Sequence, residues 1–244
     1  MSASVIEVES VIVAFGGLRA LDSVSVAMGS NRITGLIGPN GSGKSTLVNA
    51  ISGQIPATAG TIRVDGRDVT RMRSDRIVQL GLARTFQTPR FPPQLTVEEI
   101  VAVPLIYGRG AGLFLPGLRT AADVAGFCGL GTRRLVTCQN LTVTEMRRLE
   151  IARALACGPS VLLLDEVMAG LSHADSIEVM ELIREVKRAG VTVVIIEHLM
   201  RVITSLCDDL IVLNNGKLLA HGSPSVVLAD DAVREAYLGK GFKV

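Results

Sequence analysis

Long apolar runs, paired cysteines and an excess of one charge are all missing from this 244-residue chain. Its most apolar stretch, Val101 to Leu118, is broken by Arg109 and by glycines and prolines, so no span of membrane length is expected there. The first ten residues carry Glu7 and Glu9 and no basic start, which argues against a secretory leader. The expectation is a soluble, cytosolic chain. Cys128, Cys138, Cys157 and Cys207 stand apart with no C-x-x-C pair, and only three histidines are present. Disulfides and zinc are therefore disfavoured, and buried reduced thiols are expected. A formal net charge of +2 gives no bulk electrostatic reason to bind nucleic acid. There is no internal repeat and no low-complexity tract.

What the chain has is length enough to bury a sizeable core, and a hydrophobic fraction of 48%. That fraction is high for a soluble monomer, so part of the surplus is expected to face a partner. It also has Gly38-Pro39-Asn40-Gly41-Ser42-Gly43-Lys44-Ser45, a match to G-x-x-x-x-G-K-[ST] at every fixed position. The apolar run Ile33 to Ile37 precedes it, and the helix-compatible stretch Lys44 to Ile51 follows, which is the strand–loop–helix setting of a phosphate loop. Glycines let successive N–H groups turn inward around an anion, and the helix start adds partial positive charge. Lys44 is placed to reach the β- and γ-phosphates, and the Ser45 hydroxyl to ligate Mg²⁺. A nucleoside triphosphate is the predicted ligand.

The patterning predicts an antiparallel β opening, Val5 to Phe15 and Leu21 to Met28, turning at Gly16-Gly17. Short strands follow at Thr61 to Val64 and Leu82 to Phe86. From Thr88 prolines become frequent, and Val97 to Ala102, Arg119 to Phe127 and Glu145 to Cys157 read as helices. Apolar strands return at Val161 to Leu164 and Val191 to Ile196, with a helix over about Ala174 to Lys187 between them. Strands at Leu210 to Leu213 and Leu218 to His221 and two closing helices complete the chain. Apolar strands alternating with amphipathic helices predict an α/β fold, a mostly parallel sheet covered by helices. The helical block, 88–159, is expected as an inserted subdomain, with 1–87 and 160–244 forming the core.

Asp165 and Glu166 end the apolar run Val161 to Leu164, which should place them at the carboxyl edge of the sheet. Asp165 suits the Mg²⁺ shell, and Glu166 the polarisation of an attacking water. His198 ends a second buried strand and suits a γ-phosphate contact, although a lone histidine is more often structural. Gln87, after Phe86, could reach both metal and water.

Together these parts resemble the nucleotide-binding domain of ABC transporters over about Val5 to Leu238. Gly38 to Thr46 resembles the Walker A loop, Val161 to Glu166 Walker B, Gln87 the Q-loop and His198 the switch histidine. Phe15 stands where the family places an aromatic against adenine. The wording of Phe15 to Leu21, Ala83 to Gln87, Arg147 to Leu155 and Ala236 to Gly239 is similar to the ATP-binding subunits of branched-chain (hydrophobic) amino-acid importers. The lipopolysaccharide-export ATPase is a near relative with a similar carboxyl end, but its Q-loop and switch wording fits less well. The resemblance implies an ATPase of the P-loop ABC type on the inner face of the cell membrane, working with integral membrane permease subunits. The permease contact is expected beside Gln87 and Phe91-Pro92-Pro93.

One motif departs from the family. Where Leu-Ser-Gly-Gly-Gln or a close variant is usual, this chain has Leu141-Thr142-Val143-Thr144-Glu145. In the family this loop closes over the γ-phosphate held by another subunit, and glycine allows the approach. Val143 and Thr144 are expected to crowd it, and Glu145 to cost ~1–4 kcal/mol if within about 4 Å of phosphate charge. Val167 replaces the proline usual after the Walker B glutamate, and Ser172 replaces the Asp or Asn of the D-loop. The helical block is also somewhat short. A homodimer would carry this loop at both sites, whereas a heterodimer with an intact second ATP-binding subunit would carry one good site, which is the favoured expectation. The alternatives are an ATP-binding subunit of weak or no turnover, the ATPase of a related exporter of the lipopolysaccharide-export type, and an ABC ATPase acting on nucleic acid or ribosomes, against which the balanced charge and missing extensions speak.

Overall fold

The computed structural model describes residues 4–86, 91–108 and 117–238. In chain order it runs β1 (Ser4–Phe15), β2 (Leu18–Gly29), β3 (Ile33–Ile37), α1 (Lys44–Ile51), β4 (Ala59–Val64), β5 (Arg67–Asp68), α2 (Ser74–Leu80) and β6 (Leu82–Arg84). Then come α3 (Val97–Tyr107), α4 (Ala121–Phe127), α5 (Val143–Leu155), β7 (Val161–Asp165), α6 (His173–Arg188) and β8 (Thr192–Ile196). The chain closes through α7 (Met200–Leu206), β9 (Asp209–Asn214), β10 (Lys217–Gly222), α8 (Pro224–Ala229) and α9 (Asp231–Leu238). It divides into two compact units, Met1–Ile77 with Val194–Val244, and Val78–Val193.

In the first unit β1 pairs antiparallel with β2 through the Gly16-Gly17 turn, and with β4 on its other side. Alternation sets which face is covered. Val8, Val11 and Val13 on β1 and Leu21, Val24 and Val26 on β2 are buried at every second position but for one extra residue on each strand, in the steps that contain the positive-φ residues Ser10 and Ser23. β3 is buried at all five positions and lies parallel to β9, which turns back antiparallel into β10. A strand buried on both sides reads as a continuous apolar run, which is why Ile33 to Ile37 shows no alternation apart from the buried Thr34.

In the second unit β6 and β7 pair in parallel and α5 packs on both. Each helix of the α3–α5 group starts on a threonine that accepts from the N–H three residues on, while the acid at that third position accepts the threonine N–H. The pairs are Thr96 with Glu99, Thr120 with Asp123 and Thr142 with Glu145. These caps explain why α4 and α5 start at Ala121 and Val143 rather than at the expected Arg119 and Glu145. α3 runs on to Tyr107 with Pro104 inside it, past the expected stop at Ala102. β6 stops at Arg84 rather than Phe86, because the Phe86 N–H leaves the strand ladder for the Glu150 carboxylate at 2.7 Å. Two short helices, α2 and α7, carried no periodic signal strong enough to be expected. Among the described residues no helix is long and apolar enough to cross a membrane.

Candidate nucleotide site

The loop between β3 and α1 is built around two close approaches. Gly38 has φ 147°, and a β carbon on it would lie 2.1 Å from the Leu213 carbonyl oxygen. Gly43 has φ 104°, and a β carbon there would lie 2.7 Å from the Ala20 oxygen. Only glycine satisfies both the left-handed backbone and the space. The loop is pinned from the β9–β10 turn by the Gly216 N–H, which donates to the Ser42 backbone carbonyl at 3.0 Å.

Lys44 Nζ donates to the carbonyls of Gly38 (2.8 Å) and Pro39 (2.9 Å), so its charge lies across the mouth of the loop. Ala20 and Gly41 through Thr46 line a cavity of about 130 Å³. Ser42 is buried, and its hydroxyl has no hydrogen-bond partner among the described residues. Glycine cradle, lysine and helix start on one cavity are the donor set that a polyphosphate requires. Phe15, at the end of β1, is 55% exposed, an open ring at the tip of the hairpin. His198 is exposed two residues past β8, behind the buried Glu197.

The second unit carries the acidic pair. Asp165 ends β7, and its N–H donates to the Thr85 hydroxyl at 3.0 Å. Its Oδ2 accepts from Arg84 Nη2 at 2.8 Å, and both side chains are about 10% exposed. Arg84 also lies over the Phe86 ring, 5.5 Å from its centre. Glu166 has φ 49°, a left-handed backbone in a residue other than glycine, which costs about 1–3 kcal/mol. That strain sits on the residue expected to polarise water. Val167 is fully buried, so its replacement of proline is a packing matter. Ser172 is the N-cap of α6, accepting from the Asp175 N–H at 3.1 Å. Gln87 lies outside the described residues.

The Leu141–Glu145 segment forms a helix start of ordinary geometry. Thr142 caps α5, and the Glu145 carboxylate accepts the Thr142 N–H at 2.8 Å and pairs with Arg133 Nε at 2.8 Å. Burial disfavours the Glu145 charge, but the Thr142 N–H and the Arg133 guanidinium outweigh it, holding its carboxyl below the ordinary range. The charge expected to face phosphate is thus partly compensated within the chain. Val143 and Thr144 have helical backbone, so glycine is not needed there for conformation. What the branched side chains change is room, since Val143 is 59% exposed.

Arg84, Arg133 and Glu150 gave no signal of their own in the sequence. Thr142-Val143-Thr144-Glu145 ahead of Met146 has the T-x-x-E pattern of a capping box, the signal by which the sequence marks this helix start.

A glycine-cradled loop from a parallel strand into a helix, with a carboxylate pair ending a second buried strand, defines a P-loop nucleotide-binding protein. The ABC transporter family model matches residues 21–169, and the chain belongs to that family. It is an ABC-type ATPase. A second family model, the branched-chain amino acid ATP-binding cassette transporter, matches residues 217–243. The high-affinity branched-chain amino acid transport ATP-binding proteins LivG of Salmonella typhimurium and of Escherichia coli K12 are each 34% identical, over 98% of this chain and 100% of theirs. Among solved structures, the ADP conformation of MJ1267, an ATP-binding cassette of an ABC transporter, superposes with a TM-score of 0.85 at 29% identity, over 98% of this chain and 100% of that one. The ADP- and phosphate-bound dimer of the ATP-binding cassette MJ0796 gives a TM-score of 0.77 at 25% identity, over 90% and 98%.

Proposed function

We propose that this chain is the ATP-hydrolysing subunit of an importer for branched-chain or related amino acids. The observation that carries the reading is similarity to LivG proteins along the whole chain, joined to the separate match over residues 217–243. The matches lend no support to an exporter or to a subunit of intrinsically weak turnover.

In this reading Gly38 to Thr46 wrap the phosphates, Lys44 neutralises the β- and γ-phosphates, and Phe15 stacks on the base. Glu166 orients and polarises the attacking water, and His198 contacts the γ-phosphate. Ser45, Gln87 and Asp165 offer hydroxyl, amide and carboxylate oxygens, the hard donors that Mg²⁺ takes. Mg²⁺ supplies charge neutralisation on the phosphates there. The division by role assigns 1–87 and 160–244 to the ATP-binding core and 88–159 to the signature-bearing subdomain. The chain docks on the cytoplasmic side of integral membrane permease subunits, beside Gln87 and Phe91. Phe91 is half-buried with the Arg153 guanidinium 4.9 Å from its ring centre. The second ATP-binding subunit is a different chain with an intact glycine signature, so that one of the two sites is strong.

The test is uptake of labelled leucine, isoleucine and valine by cells lacking this chain, complemented with wild type or with Glu166→Gln. Uptake restored by wild type and not by Glu166→Gln supports the reading. Uptake indifferent to the deletion sinks the substrate assignment.

A further inference from the structure

Glu150 is a fully buried acidic side chain that the proposed mechanism leaves unused, and it lies on α5, the helix that starts at the signature segment. A buried carboxylate is retained only where bonds offset its desolvation. Its Oε1 accepts the Phe86 N–H at 2.7 Å, and its Oε2 stands 3.4 Å from Arg147 Nη1. Burial pushes the Glu150 carboxyl up, while the Phe86 N–H and the Arg147 and Arg153 guanidiniums pull it down without overcoming burial. Phe86 immediately precedes Gln87. One turn further along α5, Arg153 holds the Phe91 ring at 4.9 Å. Arg147, one turn earlier, donates through Nη2 to the Ala169 carbonyl at 3.3 Å, three residues past Glu166. One face of α5 thus grips the backbone just before Gln87, the ring of Phe91 and the turn behind Glu166.

We infer that Glu150 is a positioning residue for ATP hydrolysis, its bond to the Phe86 N–H fixing the first flank of the Gln87 segment to the signature helix while Arg153 on Phe91 fixes the second. This rests on Gln87 and Glu166 acting in hydrolysis, as proposed above. The acceptor matters more than the charge. A glutamine at 150 keeps a carbonyl oxygen at the right reach for Phe86. An aspartate keeps the charge beside Arg147 but is one methylene too short to reach the amide.

The experiment compares Glu150→Gln, Glu150→Asp and Glu166→Gln in the full chain with its co-purifying transporter subunits, measuring kcat, the KM for ATP and hydrogen exchange at the Phe86 amide. The expected result is that Glu150→Gln stays within about twofold of wild-type kcat. Glu150→Asp should lose about tenfold in kcat at unchanged KM, with faster exchange at Phe86, because misplacing a positioned group costs turnover rather than binding. Glu150→Asp equal to or faster than Glu150→Gln overturns the inference, as does a change confined to KM. If Glu166→Gln turns over like wild type, the reading of the site itself fails. If Glu166→Gln is inactive and the two Glu150 variants are indistinguishable, only the role of Glu150 fails. Both Glu150 variants are small, so a common loss of folding assigns a structural role instead and overturns the inference.

Discussion

Arg84 and Asp165 form a 2.8 Å ion pair with both side chains about 10% exposed, at the end of the strand that delivers the acidic pair. Arg84 is therefore a structural counter-charge for a carboxylate proposed to serve the metal. Removing one partner of a buried pair leaves the other uncompensated, and Arg84→Met is expected to cost about 3–5 kcal/mol. Urea unfolding of the purified chain measures this directly. A loss below about 1 kcal/mol, the value of an exposed pair, would show that water screens the site.

Gly43 and Gly41 make a matched comparison within one loop. Both have positive φ (104° and 77°), but a β carbon at Gly41 meets nothing within 4 Å, whereas one at Gly43 lies 2.7 Å from the Ala20 oxygen. Gly41→Ala should cost only the left-handed backbone strain, about 1–2 kcal/mol. Gly43→Ala must also displace β2 from the loop, and should cost at least twice that and weaken ATP binding more than tenfold. Thermal unfolding and nucleotide titration of the two variants decide it. Equal losses would mean that the close approach to Ala20 contributes nothing.

The Glu145 carboxyl is held below its ordinary value of 4.5. A lowered acid contributes stability that is fully present above the unfolded-state pKa and is lost as pH falls through the folded-state pKa. Glu145→Gln keeps an acceptor for the Thr142 N–H but removes the charge from Arg133. Wild type should exceed it by roughly 0.5 kcal/mol at neutral pH, as for partly exposed pairs, and the gap should close on acidification below pH 4.5. Stability of the two proteins followed from pH 7 to pH 3 tests the sign. A gap that widens in acid contradicts it.

Much of this fold is legible in the sequence because its central strands are buried on both faces. Ile33 to Ile37 and Val161 to Leu164 are apolar runs that need no partner information to be read as strands. The phosphate loop is legible for a different reason, since Gly38 and Gly43 are required by the backbone itself. Interactions that join distant positions leave no such mark. Phe86 looks like the end of a strand until Glu150, 64 residues on, takes its N–H. Nothing in the sequence joins Arg84 to Asp165, 81 residues on. By compactness alone, β6, β7 and α6 belong to the same unit as α3 to α5.

Val143 and Thr144 carry the last prediction. Their backbone is already helical and capped by Thr142, so Val143→Gly with Thr144→Gly should not improve the loop's geometry. Glycine is the poorer helix former, and the pair should cost about 1 kcal/mol in stability at this first turn. The Thr144 hydroxyl also bonds Asp175, and that contact would be lost. What the change opens is space over the helix start. In a heterodimer that space faces the nucleotide held by the partner ATPase, so turnover should rise through the partner's site. The rise should survive Glu166→Gln in this chain and vanish when the equivalent glutamate of the partner is replaced. Steady-state ATP turnover of the assembled transporter carrying these combinations distinguishes the two sites. A double-glycine chain with no gain in the presence of its partner would show that the branched residues at 143 and 144 leave enough room, and that the unusual signature is no handicap.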